Sequence, residues 1–536
     1  MHIITRFFQF ACISAILAGC GGGVQQSHWH SEYDDQPVTT PATLQYGTFA
    51  VDMYGSSEDG GKNIAVLLPT SGPNAEIGKS IRPGVEMAAL RFAPNGLNVT
   101  FYDTGTGDVS ATIQSAIDTN PSVIIGPVFS DNAKLLRDMK PSRIPALAFT
   151  SDISAVGNGV ISMGLIPTNT IESTIQSIKS DGAKNFIVIA PDSASGRTMA
   201  GAAYTISDMY NLPNAGVFYY TEHDTESIKS TAMSASMYTA RNAASTRAKE
   251  ILSAILNHEK LSYAEKTSLN KQLENIKRTD TLGDIPYDAI LFMGTSDDTK
   301  SLASFLRYYG VGVRDVAFYG TPLWENTNIA SDITMTGAKY ATMPNMTDDF
   351  SNMYKMAVGT DANRMAAIGY DATTLAIGAI YGNRDIPAYI MNPSGYIGAN
   401  GLFRLRSNGT NERALQIVRI GGDGTTEIVT EPKTSFTTPI YMSSLNYITP
   451  VSEIGLTSKG VNPMDCINIP ERFHDKYRAK TYGANYSNTV TASEMSQPVT
   501  VVSNNNDDIS ITADDYKPVP LENVSRTYID SVEVSE

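Results

Sequence analysis

Apolar positions along this chain come in two alternating spacings. Residues 64–68 form a continuous apolar run, Ile-Ala-Val-Leu-Leu, as a strand buried on both faces of a parallel sheet requires. Pro69-Thr70-Ser71-Gly72-Pro73 breaks the run with turn residues. Ile77, Ile81, Val85 and Phe92, with Ala88 and Ala89 between them, then recur at helical spacing. The same unit of strand, polar loop and helix returns. A strand at 98–102 ends in Asp103-Thr104-Gly105, and a helix around 111–118 leads to a strand at 122–125. That strand ends Gly126-Pro127-Val128-Phe129-Ser130, a helix starts near Asp131, and a strand at 144–149 closes with Thr150-Ser151-Asp152. Right-handed crossovers place all these loops on one sheet edge, where open α/β sheets take ligands.

A second lobe is expected after Ile166-Pro167. Strands at 186–190 and 215–220 flank the loop Pro191-Asp192-Ser193-Ala194-Ser195-Gly196-Arg197. The rhythm then lapses over 221–283, where Ala248, Leu252, Ile255 and Leu256, and further on Leu269, Leu273 and Ile276, give a helical elaboration with one apolar face. It resumes with a strand at 289–293, the loop Gly294-Thr295-Ser296-Asp297-Asp298, strands at 316–319 and 338–342, and a helix from 364 to about 380. Residues 401–405 and 414–420 read as a hairpin-like pair. From 443 onward Ser, Asn, Thr and Asp dominate, the composition of a segment with too little apolar surface to fold.

Composition narrows the functional classes. The 536 residues are 42% hydrophobic and carry a net charge of −15 without basic blocks, which disfavours nucleic acid and anionic membrane surfaces as partners. The six His (His2, His28, His30, His223, His258, His474) all fall outside the expected sheet segments, which argues against a Ser-His-Asp hydrolase. His28 and His30 are two metal-ligand types in a polar stretch, too few for a site. Asp103-Thr104-Gly105 has the wording of an aspartic-protease triplet, but no second such triplet in the body offers the paired carboxylate, so it reads as a strand-exit turn. Cys12, Cys20 and Cys466 are too scattered for a disulfide framework.

At the N-terminus, Arg6 precedes an apolar run at 7–17 that is too short to span a bilayer and ends Leu17-Ala18-Gly19-Cys20. This resembles a bacterial lipoprotein signal, which implies lipidation of Cys20; Gly21, where Asp would favour the inner membrane, fits the outer membrane. The expected organisation is therefore a signal peptide at 1–19, a flexible tether at 20–61, a two-lobed domain at 62–440 and a mostly disordered tail at 441–536. Lobe 1 is expected at about 62–167 and 345–440, and lobe 2 at about 168–344 with its helical insertion at 221–283.

Several phrases together carry a more specific likeness: the first strand–loop–helix unit, Tyr287-Asp288-Ala289-Ile290-Leu291, Gly320-Thr321-Pro322-Leu323-Trp324, Gly369-Tyr370-Asp371-Ala372, and Asn392-Pro393-Ser394-Gly395-Tyr396 with Gly401-Leu402-Phe403-Arg404. They resemble the penicillin-binding-protein activator lipoproteins, in a form carrying only the leucine-binding-like domain and lacking the N-terminal helical-repeat domain of fuller members. The resemblance implies an α/β, two-lobed type I periplasmic binding protein fold, each lobe a parallel sheet with helices on both faces. It also implies a non-enzymatic, cofactor-free and metal-free role at the outer membrane, with a peptidoglycan synthase as partner.

The leucine-binding class itself implies the alternative, a receptor for amino-acid import of the branched-chain type. On that reading Gly126 to Ser130 would hold the ligand carboxylate, Thr150 and Ser151 its amine, and Ser71, Ser195 and Thr295 would line the remaining loops. The class places an aromatic where Ile77 and Ser195 stand here, and an acid near Thr295. The structural alternative for Ser71, Ser130, Thr150 and Ser195 is loop and helix-cap chemistry.

Overall fold

A computed structural model describes residues 39–43, 62–93, 97–325, 327–382, 385–436 and 448–483. The signal peptide, Cys20, His28, His30 and residues 484–536 lie outside the described residues. The chain opens with a two-residue strand, β1 (Ala42–Thr43), and then builds lobe 1: β2 (Asn63–Leu68), α1 (Ala75–Phe92), β3 (Asn98–Asp103), α2 (Val109–Asp118), β4 (Val123–Ile125), α3 (Ser130–Met139), β5 (Ala146–Ala148) and β6 (Val160–Ser162). Its sheet has the order β3-β2-β4-β5-β6, all parallel. The continuous apolar runs occupy the centre: β4 and β5 are buried throughout, whereas edge strand β3 is half-buried.

Lobe 2 follows with α4 (Pro167–Ser180), β7 (Phe186–Pro191), α5 (Ala194–Met209), β8 (Asn214–Tyr220), α6 (Thr225–Ala235), α7 (Tyr238–His258), α8 (Tyr263–Lys277), β9 (Ala289–Phe292), α9 (Ser296–Tyr308), β10 (Ala317–Gly320) and β11 (Lys339–Thr342). The chain returns to lobe 1 through α10 (Asp348–Val358), α11 (Arg364–Tyr381), α12 (Ile386–Ile390), β12 (Tyr396–Gly398), β13 (Gly401–Leu405) and β14 (Asn411–Arg413). It then crosses a third time to add β15 (Gln416–Ile420) and β16 (Thr426–Thr430) to lobe 2, before a short helix α13 (Pro463–Cys466) near the end of the described chain.

The third crossing corrects the expected lobe boundary. Residues 416–430 belong to lobe 2, whose sheet runs β16-β15-β11-β10-β9-β7-β8, and β13 pairs with β12 and β14 rather than with 416–420. The apolar alternation of 414–420 suits a half-buried strand in either sheet, so pattern alone could not choose between them. Lobe 2 is therefore a parallel sheet extended at one edge by two antiparallel strands.

Two segments expected to be flexible or disordered are docked instead. Ala42 and Thr43 pair in parallel with Tyr396 and Ile397, and the Thr39 amide donates to Ser394 Oγ at 2.6 Å, so part of the 20–61 tether is strand. Residues 448–483 wrap lobe 2. Val217 and Ile454 exchange both backbone hydrogen bonds at 2.9 Å along the edge strand β8. Ile467, Ile469 and Phe473 bury against Ala248, Leu252, Ile255, Leu269 and Leu273 of the α7–α8 hairpin. This segment has no periodicity of its own because it fits surfaces already formed. Gly201 of α5 leaves room for the Thr449 carbonyl, which a methyl group would strike. Cys466 is free and exposed.

The first and last long helices, α1 and α11, approach closely. Ile81, Val85 and Ala88 bury one face of α1, and α11 is buried along nearly its whole length. A β-carbon at Gly84 would fall well inside contact with the Ala366 carbonyl oxygen, and Gly369 meets Ile81 in the same way. Gly84→Ala is therefore expected to destabilise lobe 1 by about 2–3 kcal/mol through overpacking against backbone. Gly455→Ala, where nothing lies within 4 Å of the added carbon, should leave the urea midpoint nearly unchanged.

Candidate functional site

The loops leaving the parallel strands form the edges where the two lobes present side chains. In lobe 1 the first two loops are tied to each other. Asp103 Oδ1 accepts the amides of Thr70 (2.8 Å), Ser71 (3.2 Å) and Gly105 (2.9 Å). Ser71 Oγ lies 2.7 Å from Thr106 Oγ1. Burial would raise the Asp103 pKa, but the hydrogen bonds from Ser71, Gly105 and Thr70 outweigh it and hold the carboxyl down at about 2. The Asp-Thr-Gly triplet is thus a latch between two loops. Gly105 is needed because a β-carbon there would strike the Ser71 carbonyl oxygen.

The other lobe 1 candidates are placed as follows. Gly126 has φ +90° and its Cα faces the Leu67 carbonyl too closely for any side chain. Ser130 is buried at the first turn of α3. Thr150 is fully buried: its Oγ1 accepts the Asp152 amide at 3.0 Å and its carbonyl accepts Ser162 Oγ at 2.6 Å. Ser151 Oγ is buried with no hydrogen-bond partner. Asp152 caps the turn at 153–155 and faces Lys134 Nζ of α3 at 3.4 Å.

In lobe 2, Ser193 rather than Ser195 caps α5, accepting the Gly196 amide at 3.1 Å, and Ser195 Oγ lies 3.0 Å from Ser193 Oγ. Thr295 precedes α9, and its Oγ1 has no partner. The bonds made by Ser71, Thr150 and Ser195 stay within their own lobes, and none of them joins one lobe to the other.

Sequence reasoning missed the groups around Thr295. Tyr220 Oη at the end of β8, Asp298 Oδ2 in the first turn of α9, and Thr321 Oγ1 and Trp324 Nε1 just after β10 are all buried without hydrogen-bond partners. Burial, with Asp298 adding to it, pushes the Tyr220 phenol up. Only the folded chain shows the fit: a β-carbon at Gly294 would strike the Tyr220 hydroxyl, and one at Gly320 the Trp324 indole. His223, placed outside the core from the sequence, sits on the β8 exit loop with Nδ1 3.4 Å from Asp298 Oδ1, a contact that is an ion pair only when the imidazole is protonated. The lobe 2 edge therefore offers hydroxyls, an indole N–H and one carboxylate, a set suited to hydrogen-bonding a polar group.

The fold and these edges define the class: two α/β lobes joined by crossings, the type I periplasmic binding protein fold. In agreement, 69% of the chain superposes on the whole of a Rhodospirillum rubrum protein described as a "putative branched-chain amino acid ABC transporter", with a TM-score of 0.52 at 13% identity. The family is given by the sequence: residues 25–416 match the family model "LppC putative lipoprotein", and the chain belongs to that family. Among its relatives is the penicillin-binding protein activator LpoA of Mannheimia succiniciproducens, 27% identical over 173 residues, which are 32% of this chain and 30% of the relative. The LpoA of Pasteurella multocida is 24% identical over 220 residues, 38% of this chain and 37% of the relative. The chain thus spans about a third of the length of these curated relatives.

The Asp103 latch makes a pH-dependent contribution. Its folded pKa lies below the unfolded value of 3.8, so the stability it adds is present above pH 4 and is lost as pH falls through about 2. Asp103→Asn should cost about 1 kcal/mol at pH 7, a figure reduced for solvent screening, and the difference from wild type should shrink as pH falls toward about 2 in chemical denaturation.

Proposed function

We propose that this protein is a non-catalytic, lipid-anchored envelope protein that stimulates a penicillin-binding protein, a peptidoglycan synthase, through contacts made by its folded body. The observation that carries the reading is membership of the LppC family together with relatives named as penicillin-binding protein activators. Loop chemistry supports it: Ser71 and Thr150, which a receptor would turn toward a ligand, are engaged in bonds that hold the loops. The anchor is Cys20, and Gly21 after it is compatible with the outer membrane. No helix among the described residues is long and apolar enough to cross a membrane, so attachment through the N-terminal lipid suits the body. The domains work as two lobes carried on this tether.

A second reading is favoured by the unpartnered Ser151, Tyr220, Thr295, Asp298, Thr321 and Trp324 atoms at the strand ends, which suit a receptor that closes over a small polar solute such as an amino acid. Purified protein without its signal peptide separates the two. The activator reading expects retention of a penicillin-binding synthase from a solubilised envelope extract and a faster rate of glycan polymerisation by that synthase. Failure of both, with a branched-chain amino acid raising Tm in proportion to its concentration over Kd, would establish the receptor instead.

A further inference from the structure

The net charge of −15 conceals a local reversal. Residues 238–280 and 459–480, the α7–α8 hairpin and the chain docked beside it, hold 13 Lys and Arg against 8 Asp and Glu. Screening confines a surface charge's field to about 8 Å at physiological ionic strength. A flat partner therefore meets the sign of one face rather than the sum over the chain.

Most carboxylates of this module are taken up within it. Arg247 pairs with Glu250 at 2.9 Å and Lys277 with Glu274 at 2.9 Å. The docked segment takes two more. Arg472 reaches Glu265 at 2.7 Å, and Glu259 accepts both Lys476 and, at 2.7 Å, the Tyr477 hydroxyl. Lys260, Lys266, Lys271 and Arg278 are exposed and keep no ion pair among the described residues.

Helix geometry gathers these charges. At about 100° per residue, Leu269, Leu273 and Ile276 turn into the hairpin core, while Tyr263, Lys266, Lys271, Lys277 and Arg278 fall on one arc of about 140° outside it. Glu274 is the one carboxylate on that arc, and Lys277 holds it. Tyr263, at the start of the helix, is 90% exposed. A free phenol ring beside ammonium groups is a combination that settles at the headgroup level of a bilayer. The cations here are Lys except for Arg278, and mobile ammonium charges suit a fluid array of phosphates. A fixed acidic partner would instead favour the bidentate fork of Arg.

We propose that the outward face of α8, with Lys260, is a docking surface for a bilayer of anionic phospholipid, on which the helix lies flat over its length of about 22 Å. A lipid chain and a basic face together give an anchored body one orientation on its membrane. The proposal holds whether or not the protein partner is a synthase.

The test is co-sedimentation of the mature-length protein, made without its signal peptide and so without acyl chains, with vesicles of phosphatidylcholine alone or with about 30% phosphatidylglycerol. The phosphatidylglycerol vesicles should bind at least about tenfold more tightly, and raising salt from about 0.05 M to about 0.5 M should abolish the difference. Lys266→Glu with Lys271→Glu should weaken that binding about tenfold or more. Lys79→Glu with Lys355→Glu, the same charge change at exposed positions of lobe 1, should leave it unchanged. Both double variants should keep the wild-type far-UV spectrum and Tm. Equal binding to the two kinds of vesicle, binding that survives high salt, or equal weakening in the two double variants overturns the proposal. So does binding of poly-L-glutamate without binding of phosphatidylglycerol vesicles, which would assign the face to an acidic polypeptide.

Discussion

The molecule depends on how its three crossings are bound together, and Asn411 is the centre of that binding. Its side-chain amide donates to the carbonyls of Ser162 (3.0 Å) and Gly164 (2.7 Å) in the first crossing. Its own carbonyl and side-chain oxygen accept Asn169 Nδ2 at 3.1 and 3.2 Å. Asn411 is 1% exposed, so each bond left unmade would cost about 1–3 kcal/mol. Arg413 adds a bond to Met163, and Arg364 grips the second crossing through the Pro344 and Met343 carbonyls while pairing with Glu325 at 2.5 Å. The buried bonds around Asn411 favour one geometry, because breaking them would bury unpaired groups.

The Gly369-Tyr370-Asp371-Ala372 phrase, which marked the family likeness in the sequence, serves the same end. Gly369 admits α1, and Asp371 accepts the Ala399 amide at 2.7 Å and the Asn400 amide at 3.4 Å. Burial pushes the Asp371 carboxyl up to about 6, with those amides and the neighbouring Arg413 opposing the shift. The phrase is a packing device rather than a binding motif, so it identifies the fold more securely than any ligand.

What was legible in the sequence was what a local pattern can carry. The central strands 64–68 and 289–293 announce themselves because burial on both faces demands unbroken apolar residues. The turn residues Ser71, Thr150 and Thr295 were found because loops between such runs are easily bracketed. Their bonds were not, since Asp103 reaching Thr70 and Ser71 is a contact between separate loops. The third crossing was hidden because 414–420 alternates equally well for two sheets, and the docked 448–483 segment because its apolar residues answer surfaces on α5, β8 and the α7–α8 hairpin. Tyr220 ends a strand and Trp324 closes one of the family phrases, and only the folded chain reveals their unpartnered polar atoms.

The central claim is that the buried bonds at the crossings hold the lobes in one arrangement. It is tested most directly by electron–electron distance measurement between spin labels at Leu90 and Tyr263, both highly exposed and on different lobes, with Cys466 replaced by Ser. One narrow distribution in the otherwise wild-type chain, broadened by Asn411→Ala, is the expected result. Equal widths in the two proteins would contradict the account.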